Sequence, residues 1–215
     1  MILARNFSKG EEMKILAFQG SPRRKGNTDL LLESFLTGAR EAGAETKKIN
    51  LYQVRIEPCF ECGQCDETGK CVIPDDMEAI YPQLEQAEVI VVASPIFFYN
   101  ITCRTQALVE RSQACWIRKY VLKERHPRAK ERQGIFLSLG ATKGRRLFEG
   151  VQRVIRYFFD ALDVNYQGGL FYRGIEGKGA VKEHPSALKE AFSLGQAVGA
   201  GLPPEDWPLN RDPCP

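Results

Sequence analysis

No stretch of this 215-residue sequence approaches the ~20 consecutive apolar residues that a membrane-crossing helix needs. The longest apolar run, Val89–Tyr99, is short and is interrupted by Ser94 and Pro95. The chain does not open on an apolar signal-peptide core, so a secretory signal is not expected and the cytoplasm is the expected location. A strong charge of one sign is also missing. The net charge of +3 is too small to point to nucleic acid as a partner. Histidine is scarce: His126 and His184 stand alone, each followed by proline, and neither has an evident Asp or Cys partner. Both read as surface residues, and neither as the base of an activated nucleophile. No internal repeat is visible. With 43% hydrophobic and 27% charged residues, the composition is that of one ordinary domain with a sizeable core.

Cysteine, by contrast, is abundant and unevenly placed. Cys59, Cys62, Cys65 and Cys71 fall within 13 residues as C-x2-C-x2-C-x5-C. In a cytoplasmic chain such a run means metal or redox chemistry more readily than disulfides. Thiolates select zinc, Cu(I) or iron–sulfur clusters. The tight triple run has the spacing that wraps a [4Fe–4S] cube, whereas tetrahedral zinc sites more often use two separated pairs. Zinc, and a loop that folds with no metal, remain the alternatives. Gly63 and Gly69 would let backbone N–H groups turn toward sulfur, and Pro58 would stiffen the entry. Cys103 and Cys115 are expected to be buried structural thiols, with Cys214 in the tail.

Around this run, strand and helix patterns alternate. Strands are expected at Lys14–Gln19, Glu45–Leu51, Glu88–Ala93, Gln133–Leu139 and Val164–Tyr172, the last interrupted by Gly168 and Gly169. Helices are expected at Thr28–Ala42, Asp76–Glu85, Ile101–Lys123, Leu147–Leu162 and Ser186–Gly199. Repeated βα units predict an α/β fold, a doubly wound five-stranded parallel sheet of flavodoxin-like order 2-1-3-4-5. Residues 1–12 read as a flexible leader, 13–202 as the domain with its cysteine loop at 58–75, and 203–215 as an irregular tail. Asp75 and Asp76 suit a helix start better than a metal pair.

The segment Gly20-Ser21-Pro22-Arg23-Arg24-Lys25-Gly26-Asn27-Thr28 lies between the first strand and the first helix. Unpaired backbone N–H groups and the positive helix end make that junction a phosphate site, with donors on Ser21, Asn27 and Thr28 and charge on Arg23. The competing reading is an ordinary turn with Thr28 as N-cap. The loop lacks both G-x-x-x-x-G-K-[ST] and G-x-G-x-x-G, which argues against Walker-type and Rossmann nucleotide sites. Residues 118–132 hold seven Lys or Arg against Glu124 and Glu131. They read as a solvated connection, or else as a dock for NADPH phosphate or an acidic ferredoxin.

GSPRRKGNT, ASPIFFYN and the cysteine run, in that order, resemble the NADPH-dependent FMN reductase-like flavoproteins. Within that superfamily the chain is most similar to the iron–sulfur flavoproteins. The likeness extends over roughly Met13 to Gly201 and is most specific at CxxCxxCxxxxxCVIxDDM, Cys59 to Met77. It implies FMN held at its phosphate by Ser21, Arg23, Asn27 and Thr28 in the loop that includes Gly26. It also implies that Pro95, Ile96, Phe97, Phe98, Tyr99 and Asn100 wrap the flavin ring, with core capping as the other role for Phe97 or Phe98. A third loop, with Gly140, Ala141, Thr142 and Gly144, would touch the ring. Lys143 and Arg145 read as solvated loop charges, or else as positive charge near the ring's N1–O2 edge that would favour the anionic reduced flavin. The four clustered cysteines would hold a [4Fe–4S] cluster.

The expected function is an FMN-dependent oxidoreductase that passes electrons between the cluster and FMN. No nucleophile or acid–base pair is required of the chain. The resemblance suggests ferredoxin or another electron carrier as donor, a small acceptor such as an oxygen species or a quinone, and a homodimer or homotetramer. The alternatives are an NAD(P)H-dependent FMN or quinone reductase with inert cysteines, and a zinc-stabilised flavin-binding module.

Overall fold

The computed structural model describes residues 12–210. The leader up to residue 11, and residues 211–215 with Cys214, lie outside the described residues. Five parallel strands are β1 Lys14–Gln19, β2 Glu45–Asn50, β3 Val89–Pro95, β4 Gln133–Gly140 and β5 Asn165–Arg173. They are hydrogen-bonded in the order β2-β1-β3-β4-β5, as expected for a flavodoxin-like sheet. The helices are α1 Asn27–Glu41, α2 Met77–Gln86, α3 Cys103–Glu110, α4 Gln113–Tyr120, α5 Glu149–Ala161 and α6 Ala187–Gly199.

Alternation along the strands divides the core. Leu16, Phe18, Ile90, Val92 and Phe136 face the side covered by α2, α3, α4 and α5. Ile15, Ala17, Val91, Ile135 and Leu137 face α1 and α6. Central strands buried on both faces read as nearly continuous apolar runs, and the run at Val89–Ala93 is one.

Three expectations need correction. The helix expected over Ile101–Lys123 is two helices broken at Arg111–Ser112, where Ser112 Oγ donates to Val109 O at 2.6 Å. A serine hydroxyl that bonds back to its own helix competes with helix continuation. The fifth strand is continuous: the Gly pair marks a register slip opposite Gly134 and Ile135, with Gly168 at φ +105°. Residues 203–210 are not wholly irregular. They contain the 3₁₀ turn Pro204–Asp206, bury Trp207 in the α1/α6 core, and set Asn210 Oδ1 to accept from Phe171 N at 2.7 Å.

At the edge where the strands begin, the basic segment is held by ion pairs: Lys119 and Arg132 are buried, while Lys123, Arg125 and Lys130 stay exposed. Arg132 is buried and donates to the carbonyls of Leu84, Ala87 and Leu162; burial pushes its pKa down to about 10. Arg118 pairs with Glu85, Lys119 with Asp160 and Asp163, Arg125 with Asp163, and Arg128 with Glu88. His126 accepts from Arg128 N through Nδ1 and reaches Glu85 O with Nε2, so it stitches this edge together. His184 likewise is structural: its Nδ1 accepts from Ser186 N and Ala187 N at the start of α6.

Candidate functional site

Two clefts carry the candidate chemistry, and both lie beyond the ends of strands. The first, of about 220 Å³, is lined by Ser21, Arg23, Asn27 and Thr28, by Pro95, Ile96 and Phe97, and by Leu139, Gly140, Ala141, Ile175 and Glu176. Three loops that the sequence marked separately meet here at the carboxyl edge of the sheet, where ligands collect in open α/β folds. Among the residues lining it, Arg23 is the one cation and Glu176 the one carboxylate.

The N-cap of α1 is Gly26, not Thr28, and it makes no side-chain cap. The helix therefore offers its first-turn N–H groups and positive dipole end to an anion. Asp29, in the first turn, accepts from Lys25 N and pairs with Lys48. Ser21 Oγ accepts from Arg23 N at 3.2 Å and shapes the loop. Asn27 lines the cleft, but its amide is engaged elsewhere, donating to Gly177 O at 2.7 Å and accepting from Val181 N at 3.2 Å. It thereby fixes the segment after β5 that brings Ile175 and Glu176 to the cleft.

A buried hydroxyl network sets these loops against one another. Thr102 Oγ1 donates to Gly20 O at 2.6 Å and lies 2.9 Å from Thr105 Oγ1. Ser94 Oγ accepts from Thr102 N, and Ser138 Oγ donates to Ser94 O at 2.7 Å. The close approach needs a glycine at position 20, where a Cβ would stand 2.1 Å from Thr105 Oγ1. Sequence reasoning missed this network; short hydroxyl side chains at strand ends were its only signal.

The ring loop is a tight reversal, with Phe97 N donating to Asn100 O and Asn100 N to Phe97 O. Phe98 and Tyr99 both adopt positive φ, +49° and +60°, a strained pair for side chains with a Cβ. Phe98 is fully exposed (104%) and Tyr99 largely so. Core capping by Phe98 is thereby overturned. Gly26, Phe98, Tyr99, Asn100, Thr142 and Gly144 stand outside the lining of the cleft. Tyr99 nevertheless crosses toward the third loop, its hydroxyl 2.8 Å from where a Gly144 Cβ would be. Lys143 and Arg145 do not line the cleft either. Arg173 holds their loop, donating to the carbonyls of Gly144 and Arg145.

The second cleft, of about 280 Å³, is lined by Cys59, Cys62, Cys65 and Cys71 together with Asp66, Glu110, Arg111 and Gln113. All four thiols are free and at least partly accessible. Among the described residues no three His, Cys, Asp or Glu side chains are drawn together at metal-binding spacing, so the thiols share walls without closing on one point. Burial, with Asp66 adjacent, pushes the Cys65 thiol pKa up. Turns at Glu61, Gly63 and Gly69, all at positive φ, carry the loop around the cleft. Gly69 packs on the stem of Arg118, where a Cβ would fall 2.2 Å from Cγ. Four thiols facing one cleft of this size, on a loop free of regular secondary structure, fit a group ligated from its walls.

Of the other thiols, Cys115 is buried as expected. Cys103 is exposed, contrary to expectation, and its Sγ lies 3.9 Å from Tyr52 Oη. It is the first residue of α3. No described helix is long and apolar enough to cross a membrane.

The family model described as NADPH-dependent FMN reductase matches residues 13–169. An iron-sulfur flavoprotein of Methanosarcina thermophila is 30% identical over 153 residues, covering 71% of this chain and 74% of that one. An iron-sulfur flavoprotein of Methanocaldococcus jannaschii is 38% identical over 101 residues, 47% of this chain and 52% of that one. The match thus spans about half the length of that relative. Among solved structures, an NAD(P)H:quinone oxidoreductase from Methanothermobacter marburgensis superposes with a TM-score of 0.66 at 16% identity, covering 87% of this chain and 96% of that one. A flavone reductase gives 0.66 at 20% identity over 90% of this chain and 64% of the other. At such identities these two show a shared fold.

Proposed function

The chain belongs to the NADPH-dependent FMN reductase family and is a flavin-dependent oxidoreductase; on that premise we propose that it carries two redox centres, FMN in the sheet-edge cleft and a [4Fe–4S] cluster in the cysteine cleft. The observation that carries this reading is that all four clustered cysteines line one cleft. When bound, FMN exchanges one or two electrons and the cluster one, so the pair joins one-electron carriers to two-electron acceptors.

The chain's own work is placement. The open N-terminus of α1 and Arg23 hold the phosphate end, as donors aimed at fixed negative charge. Pro95, Ile96, Phe97 and Ile175 offer an apolar bed for the ring, and the Ser94–Thr102–Ser138 network keeps that bed in register with the phosphate loop. Cys59, Cys62, Cys65 and Cys71 supply thiolates. The donor is proposed to be a small iron–sulfur carrier of the ferredoxin class, and the acceptor a small oxidant that reaches the exposed side of the ring loop. Self-association is part of the same reading, supported by the exposed aromatic edge at Phe97, Phe98 and Tyr99.

Anaerobic purification followed by metal, sulfide and visible-absorption analysis tests the proposal. Iron and acid-labile sulfide near four each per chain, with broad cluster absorption beneath the flavin bands, are expected. Zinc without sulfide would sink the cluster and favour the zinc-stabilised module. A second reading, direct hydride transfer from NAD(P)H without a cluster, is favoured by the family's description and by the open outer side of the ring loop. Rapid bleaching of the flavin by NADPH alone, in protein free of iron, would select it.

A further inference from the structure

The cysteine loop has a neck, and one side chain closes it. Arg111, at the break between α3 and α4, is 1% exposed. Its Nη1 donates to Glu57 O at 3.0 Å, two residues before Cys59. Its Nη2 reaches Ile73 O at 3.4 Å, two residues after Cys71. The guanidinium also pairs with the carboxylate of Asp75, which has no exposed side-chain surface. Asp75 in turn accepts from Glu57 N at 2.8 Å and from Met77 N at 3.0 Å. Tyr81 Oη donates to Arg111 O at 2.7 Å and fixes the backbone of the break. The two flanks of the four-cysteine window are thus tied to each other through one planar fork, for which a lysine is no substitute.

Arg111 is not only a strut behind the loop. It lines the cysteine cleft itself, as do all four cysteines. Its Nε is buried with no hydrogen-bond partner. An orphaned buried donor is costly unless something accepts from it. A thiolate or sulfide sulfur of a bound cluster is such an acceptor, and its negative charge is of the sign a guanidinium favours.

We propose that Arg111 is the positioning residue of the cysteine cleft: its fork closes the neck of the loop, and its Nε–H and positive charge act on the sulfur ligands. Asp75 is the counterweight that moderates this charge. The inference rests on the cluster reading above. It predicts that charge removal at the two positions has opposite consequences. Arg111→Gln disfavours the more negative, reduced cluster, and Asp75→Asn favours it.

The test uses the full chain, loaded anaerobically, with redox titration followed by the cluster's EPR signal. For Arg111→Gln the reduced-to-oxidised ratio at a fixed potential is expected to fall about 10-fold, which is about 59 mV for a one-electron couple. For Asp75→Asn it is expected to rise. Unchanged potentials in both, or shifts of the same sign, would overturn the electrostatic role. Arg111→Lys, which keeps the charge and loses the fork and the Nε–H, serves if the glutamine variant does not fold; its reduced-to-oxidised ratio should fall by less than 10-fold, and no fall would overturn the action of Nε–H.

The neck is tested separately in metal-free protein by mass-spectrometric iodoacetamide labelling. Cys59 and Cys71 should react at least about 10-fold faster in both Arg111 variants, with Cys103 unchanged as the internal control. Equal rates would overturn the clamp. A parent chain that takes up no iron would defeat the cluster reading alone, and the labelling arm would still decide the neck.

Discussion

The flavin cleft and the cysteine cleft are built by opposite means. The first rests on strand ends, an uncapped helix terminus, a glycine that lets two elements touch and a short-hydroxyl network, all anchored at the sheet edge. The second is made of side chains, on a loop without a strand or helix of its own, drawn shut by Arg111 and Asp75. A site anchored at the sheet edge is ready for its ligand as soon as the sheet forms. A side-chain-built site depends on a single buried pair. Breaking one site should therefore leave the other standing.

The largest effect is expected at the neck. Arg111→Met strands the buried Asp75 charge, and removing one partner of such a pair costs about 3–5 kcal/mol. Urea unfolding should record that loss, while FMN affinity measured on the folded protein stays near the parent's. A matching fall in affinity would show that the clefts are one unit. The same pair sets an acid limit. Burial opposes ionisation of Asp75, but the hydrogen bonds from Arg111, Glu57 N and Met77 N hold its pKa below the usual carboxylate range. Its contribution is complete above the unfolded-state value of about 3.9 and is lost as pH falls through the lower folded-state value. Acid unfolding of Arg111→Met should lack that step.

Next in size is Gly20→Val, which drives side-chain atoms into Thr105 and Ala93 O. Overpacking costs about 1–3 kcal/mol. Flavin should be lost on gel filtration while iron uptake persists; a simultaneous loss of iron would break the comparison. Arg23→Ala removes the cleft's one lining cation and should raise the FMN dissociation constant about 10-fold, or about 1.4 kcal/mol, by fluorescence titration. Smallest is Phe98→Gly. The aromatic ring is fully exposed among the described residues, and glycine relieves a positive φ, so the flavin-free protein should gain about 1 kcal/mol in thermal unfolding. A loss would mean that the ring is held by a second chain.

Legibility in the sequence followed the same division. Strand β1 runs over the residues expected, and the sheet order came from βα alternation, because buried parallel strands declare themselves as apolar runs. Ser21, Arg23, Pro95, Ile96, Phe97 and Gly140 could be named because the family resemblance marks the loops at and just after the strand ends. Glu176 follows one too and was overlooked, since no motif marks it. The break at Arg111 was invisible: Leu108 and Cys115 continue a helical period across it, and periodicity does not register a charged side chain buried by tertiary contacts. Asp75 was read as part of a helix start, and it does accept from Met77 N. Its ion pair spans 36 residues and no local pattern encodes it.

Helix α3 joins the loops of both clefts. Thr102, its N-cap, bonds the phosphate loop at Gly20, and Arg111, its C-cap, closes the cysteine loop. With eight residues at 1.5 Å each, the helix is a gauge of about 12 Å. A residue inserted into it would add little length but would swing Arg111 by about 100° away from Asp75. Substitutions along its outer face leave that angle intact. For this helix the number of residues constrains the fold more tightly than their identity, and the interval between the two clefts is written in a count rather than in a motif.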